Sequence, residues 1–428
     1  SQLKAKSDIP VLYKQNVAND LFQLIYVFDM GNNHDKALGT AFDYLEYLGT
    51  SDMTPEELKS EFYRLACTFY VSPGNERTYV VLSGLNENMP AAVQLFEKLL
   101  ADAQVNKEAY TNMTSDILKA RSDAKLNQGQ NFSRLMSFAM YGPKSPATNL
   151  LTEAELTNMN PQELVDRIHN QNSYKHRILY YGPSSSKDLL ATINQYHQVP
   201  AALKDIPAGN EYAYLETPVT KVLVAPYDAK QIYMAQISNL DKKYDPAIEP
   251  IRALYDEYFG GGMNSIVFQE MRETRGLAYS AWASIMPPSY LKYPYVLRTQ
   301  IATQNDKMID AVTTFNDIIN NMPESEAAFK LAKDGLTNRL RTERIIKGDI
   351  IWSYINAQDL GQNVDPRIKL YNDIQNMSLK DIVDFQKQWV KGRTYVYCIL
   401  GDKKDLELDK LKAVGPIEEL TQEQIFGY

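Results

Sequence analysis

Arg272 and Tyr279 stand seven positions apart in the stretch of this 428-residue sequence with the most to offer chemically. It reads Phe259-Gly-Gly-Gly-Met-Asn-Ser-Ile-Val-Phe-Gln-Glu-Met-Arg272-Glu-Thr-Arg275-Gly276-Leu277-Ala278-Tyr279-Ser280. An arginine is always charged and presents a rigid fork of donors, and a tyrosine hydroxyl both donates and accepts. Gly260, Gly261 and Gly262 let the chain turn tightly and pass where side chains would obstruct. The bland alternative is a plain helix–turn–strand corner, with Arg272 an exposed helix-end cation and Tyr279 a core aromatic alternating with Leu277 and Trp282. The remaining candidates are sparse. The four histidines are His34, His169, His176 and His197, and none belongs to an H-x-x-E-H motif. His34, in the polar run Asn32-Asn33-His34-Asp35, reads as solvated; His169 and His176 flank a helix–strand loop and make at best a weak metal pair. Cys67 and Cys398 have no metal or redox spacing and lie in apolar stretches, so they read as buried, inert thiols. Asp43 and Glu46 have the spacing of a helical carboxylate pair, more often an exposed or capped face. The basic run 330–347 reads as solvated surface diluted by Asp334 and Glu343.

The glycine run, Phe268-Gln-Glu-Met and Arg275-Gly-Leu-Ala-Tyr follow one another in an order that resembles the pitrilysin/insulysin-like zinc peptidases. These are the inverted zincins, whose relatives include mitochondrial processing peptidase. In their catalytic half H-x-x-E-H lies on the first long helix, a few residues before a Gly-Thr. Counting back from Gly49-Thr50 puts those positions at Thr40, Asp43 and Tyr44, and no histidine occurs between His34 and His169. Catalytic zinc needs three protein ligands and an open position, so these residues make a degenerate zinc site. The resemblance is therefore to the non-catalytic, C-terminal half, with no cofactor in this chain and zinc in a partner half. It implies that Arg272 and Tyr279 are catalytic and act on a peptide at the partner's zinc. It further implies that Gly260, Gly261 and Gly262 line the substrate, and that Arg275 and Gly276 are structural. The implied partners are an H-x-x-E-H half, in the same longer chain or as a subunit, and a peptide or unfolded polypeptide. The alternative is an inert homologue, structural like a respiratory-complex core subunit or peptide-binding without cleavage.

The elements that must position these residues repeat. A shift of 211 lays Val11-Leu12 on Val222-Leu223, Tyr44 on Tyr255, Glu46-Tyr47 on Glu257-Tyr258 and Gly49 on Gly260. Near the other end, Met159 with Leu164-Val165-Asp166 precedes the strand-like Arg177–Gly182, as Met377 with Ile382-Val383-Asp384 precedes Tyr395–Gly401. Each copy reads as strands, then helices, then a closing strand. The predicted fold is α+β: two tandem homologous domains, each a mainly antiparallel sheet covered on one face by helices. Residues 1–200 are the first domain and 219–428 the second, which carries the Arg/Tyr segment. The Pro- and Gly-rich residues 201–218 form the linker.

Length alone favours about two domains, and 44% hydrophobic with 23% charged residues is an ordinary globular composition. A net charge of −8 argues against nucleic acid, and no apolar run is long enough for a membrane span. The sequence reads as soluble and suits periplasm or cell envelope as well as cytoplasm. Its start at Ser1, straight into a domain, favours a fragment of something longer.

Overall fold

The computed structural model describes residues 1–428, which form two compact units. The first comprises Ser1–Ser122, Asn149–Glu211 and Ile346–Trp352; the second comprises Asp123–Thr148, Tyr212–Ile345 and Ser353–Tyr428.

The first sheet uses β1 (Gln2–Lys4), β2 (Pro10–Gln15), β3 (Leu21–Phe28), β4 (Cys67–Pro73), β5 (Thr78–Leu85) and β6 (Arg177–Gly182), in the order β1-β2-β6-β3-β5-β4. The second uses β7 (Lys221–Pro226), β8 (Gln231–Lys243), β9 (Ser280–Met286), β10 (Pro294–Gln304), β11 (Val396–Gly401) and β12 (Ile417–Glu419), in the order β12-β7-β11-β8-β10-β9. Five strands correspond one to one, β2-β6-β3-β5-β4 with β7-β11-β8-β10-β9. Pairing sense matches as well: β2 runs parallel to β6 and β7 to β11, and the other neighbours in these sets are antiparallel. The sixth strand differs. β1 comes from the start of the chain and is antiparallel to β2, whereas β12 comes from the end and is parallel to β7. The sheets are thus mixed, because a closing strand that returns through a helical block enters beside the first strand in the same direction.

In the first unit, alternation along β3 turns Phe22, Leu24, Tyr26 and Phe28 to the core. The helices are α1 (Leu38–Leu45), α2 (Pro55–Arg64), α3 (Met89–Asp102), α4 (Lys107–Lys125, which runs into the second unit), α6 (Glu153–Asn158), α7 (Gln162–Asn170) and α8 (Ser186–Tyr196); α5 (Gln128–Tyr141) belongs to the second unit. Thr54 starts α2 with a reciprocal cap to Glu57, and Pro55 supplies the first helical φ.

The second unit has α9 (Glu249–Phe259), α10 (Ile266–Phe268), α11 (Met308–Asn320), α12 (Glu326–Thr342), α13 (Asp349–Asp359, shared with the first unit), α14 (Pro366–Ile374), α15 (Leu379–Trp389), α16 (Leu408–Leu411) and α17 (Gln422–Phe426). Its main core joins one sheet face to α9, α11, α12 and α15 through Tyr255, Phe259, Phe315, Leu336 and Phe385. The opposite face is covered by α5, where Phe132, Leu135, Met136 and Ala139 meet Leu223, Ala235, Ile237, Cys398 and Leu400. That cover goes beyond the one-face layer expected from the sequence. It exists because a mid-chain helix with an apolar stripe finds its partner in the second sheet.

Candidate functional site

α9 ends at Phe259 because the chain must turn there. Gly260 closes the helix through its N–H to the Asp256 carbonyl at 3.1 Å. A Cβ on Gly260 would lie 2.3 Å from the Ala283 carbonyl oxygen, and one on Gly261 would lie 2.7 Å from the Asp256 oxygen. A Cβ on Gly262 would meet nothing within 4 Å, so only the first two glycines are demanded by packing.

Ser265 then caps a short turn, its Oγ accepting from the Phe268 N–H at 3.4 Å. The helix widens into a π-type turn over Gln269–Thr274, which buries Met271 and turns Arg272 outward. At the corner Gly276 takes φ +57°, a conformation costly for a residue with a Cβ. The Leu277 N–H donates to the Met271 carbonyl at 2.8 Å, and Lys307 Nζ donates to the Gly276 carbonyl at 3.0 Å. Arg275 makes a loose surface pair with Glu270 at 3.6 Å, so backbone and Lys307 contacts supply the corner's hydrogen bonds.

The Tyr279 N–H bonds to the Ala302 carbonyl at 2.8 Å, pinning this residue just ahead of β9. Its side chain is not a core aromatic: Tyr279 is 71% exposed. The Arg272 guanidinium lies 5.6 Å from the centre of the Tyr279 ring and 5.1 Å from that of Phe268. Arg272 otherwise makes only a 3.7 Å approach to Glu273, and the Tyr279 hydroxyl has no partner within the chain. The wide turn and the corner thus bring together two side chains seven residues apart, leaving a cation and a phenol facing outward. Such a pair can donate hydrogen bonds to an incoming carbonyl.

The three positions counted back from Gly49-Thr50 lie in different surroundings. Tyr44 is buried, and its hydroxyl donates to the Asn106 carbonyl at 2.6 Å while accepting from the Asn106 N–H at 2.9 Å. Thr40 is half-buried. Asp43 is exposed overall, although packing around its carboxyl, and then the charge of Glu46, raise its pKa from the usual value. No group of three His, Cys, Asp or Glu side chains is arranged so that it could hold a metal ion.

Several side readings need correction. His34 is half-buried rather than solvated, its Nδ1 accepting from the Gly31 N–H at 3.1 Å in a tight local turn. His169 and His176 are not a pair. His169 Nε2 bonds to the Ala103 carbonyl at 3.0 Å, whereas His176 Nε2 meets His197 Nε2 at 2.8 Å. His197 Nδ1 in turn meets Glu97 Oε1 at 2.6 Å, with His197 and Glu97 both fully buried. The basic run, by contrast, is surface as expected: Lys330, Arg339, Arg341, Arg344 and Lys347 are exposed, and Lys333 alone is half-buried, reaching the Gln375 and Met377 carbonyls. Sequence reading missed the Glu97–His197–His176 chain because its members come from α3, the end of α8 and the start of β6. Both cysteines are buried; burial raises the Cys67 thiol and pushes Cys398 up to about 12.

Residues 178–336 match the family model described as the peptidase M16 inactive domain. This chain resembles the inactive half of the M16 peptidases. Across 93% of both chains it is 23% identical to a protein of Helicobacter pylori called non-peptidase homolog YmxG. It superposes on the peptidase M16 inactive domain of Pseudomonas fluorescens with a TM-score of 0.73 at 15% identity, covering 94% of this chain and 98% of that one. With the periplasmic protease PqqL of Escherichia coli the TM-score is 0.74 at 15% identity, covering 94% of this chain but 45% of the protease. At such identities these two structures speak for the fold alone. No helix is long and apolar enough to cross a membrane.

Proposed function

We propose that this chain, read as domains 1–200 and 219–428 joined by 201–218, is the non-catalytic half of a zinc-dependent metallopeptidase. It closes over a peptide and supplies Arg272 and Tyr279 to the zinc site of an H-x-x-E-H half. The observation that carries this reading is the outward-facing pair, with the guanidinium over the Tyr279 ring and the Tyr279 hydroxyl unpartnered. The likeness to a protease of about twice this length supports a second half. Zinc belongs to the partner, where it supplies Lewis acidity and an activated water. This chain's own part is positional. The Tyr279 hydroxyl donates to the peptide carbonyl oxygen as negative charge develops on it, a role worth roughly 10²–10³ in rate for one donor. Arg272 keeps the ring in place and binds the peptide backbone through its spare donors. Of the three glycines, Gly262 has open space beside it and lets the substrate approach the main chain, while Gly260 and Gly261 make the tight turn and Gly276 the corner.

Reconstitution tests this. Neither this chain nor an H-x-x-E-H half alone should turn over a fluorogenic peptide, and the mixture should. A mixture that associates and stays inactive would favour the second reading, an inert homologue. That reading draws on the near full-length likeness to a non-peptidase homologue.

A further inference from the structure

Alternation along β10 places Val296, Arg298, Gln300 and Ala302 on the sheet face that α5 partly covers, with Trp282 and Ser284 of β9 beside them. Arg298 is the charged residue of this group, and its surroundings are neutral. Its guanidinium stacks 5.1 Å from the centre of the Trp282 ring, and Nη2 donates to Gln300 Oε1 at 3.0 Å. Nε is buried and has no partner. Burial lowers its pKa from the ordinary arginine value, and the one opposing influence is Cys398, whose thiol is itself pushed up to about 12 and so neutral. No carboxylate compensates the charge. Arg252, also largely enclosed in this unit, is held by Glu249 at 2.9 Å and Asp256 at 2.8 Å, as a sequestered cation ordinarily is. Yet Arg298 remains partly exposed, so a counter-ion can reach it from outside the chain.

We propose that Arg298, backed by Trp282 and steadied by Gln300, anchors a subsite for an Asp or Glu side chain of a bound polypeptide. The proposal rests on the peptide-binding reading above. A carboxylate is the anion that a planar guanidinium fork fits best among polypeptide groups, accepting two parallel hydrogen bonds. The indole holds the fork flat and open. The backbone at Arg298 lies four residues along β10 from Ala302, which holds the Tyr279 N–H, a spacing of roughly 13 Å at about 3.3 Å per residue.

The test titrates the full chain with fluorescently labelled, unstructured peptides that differ by one Glu or its Gln counterpart, the substitution walked along the peptide. Wild type should bind the Glu form roughly tenfold tighter or better at one position, the size expected of hydrogen bonds to a charged group. Arg298→Gln should erase that preference and Arg298→Lys should keep part of it, with unchanged thermal melts showing that both fold. Equal binding of Glu and Gln peptides by wild type, or a preference that survives Arg298→Gln, overturns the subsite while leaving the peptide reading standing. If wild type binds neither form, the peptide reading itself falls and the subsite with it. If Arg298→Gln weakens association with the H-x-x-E-H half and leaves the peptide preference unchanged, the carboxylate belongs to that half and the proposal is wrong.

Discussion

In the proposed assembly Arg272 and Tyr279 act on different stages of the same event, so their substitutions should separate. The Arg272 guanidinium touches both the Tyr279 ring and Phe268. On that reading Arg272→Ala removes the group that fixes the ring and one that holds the ground-state peptide. It should therefore raise KM and also lower kcat by about ten- to a hundredfold, the cost of a misplaced catalytic group. Steady-state kinetics on the assembled enzyme reads both effects, and a fall in kcat with KM untouched would remove Arg272 from substrate binding. Both side chains were visible in the sequence, and their resemblance-borne roles gave the segment its interest. Their meeting was not legible. A regular α-helix through Arg272 leaves its direction open, and only the π-type turn over Gln269–Thr274 together with Gly276 settles it.

At the scale of elements, the glycine run divides sharply. Gly260→Ala forces a Cβ to within 2.3 Å of a β9 carbonyl and should cost roughly 1–3 kcal/mol, as overpacking does. Gly262→Ala has open space and should stay within about 0.5 kcal/mol of wild type. Chemical denaturation of the two variants decides the matter, and equal losses would contradict it. The Leu135 side chain of α5, fully enclosed against the second sheet, makes the companion case: Leu135→Ala should cost about 2–5 kcal/mol. The repeat itself could be read from the matching start and end of each copy. Two features could not. An amphipathic stripe says that α5 is buried but not on which sheet, and short edge strands such as β1 and β12 carry too few alternating residues to register.

For the whole molecule, the buried His176 makes stability depend on pH. Burial first, and then the neighbouring His197, lower its pKa from 6.5 to about 3, with a hydrogen bond to the Tyr174 carbonyl opposing the shift. The unfolded chain takes up this proton near its ordinary value and the folded chain resists until about pH 3. Stability is therefore fully present above about pH 6.5 and falls as the pH drops through that window, by up to about 1.4 kcal/mol per unit. Thermal melts between pH 8 and 4 should show the decline, and His176→Gln should flatten it; an unchanged slope would show that another group governs acid sensitivity. With an H-x-x-E-H half supplied, Tyr279→Phe deletes one exposed hydroxyl and leaves the ring under Arg272 in place. kcat should fall by roughly 10²–10³ with KM nearly unchanged, because the lost hydrogen bond forms fully only in the transition state. Wild-type kcat in Tyr279→Phe would contradict this.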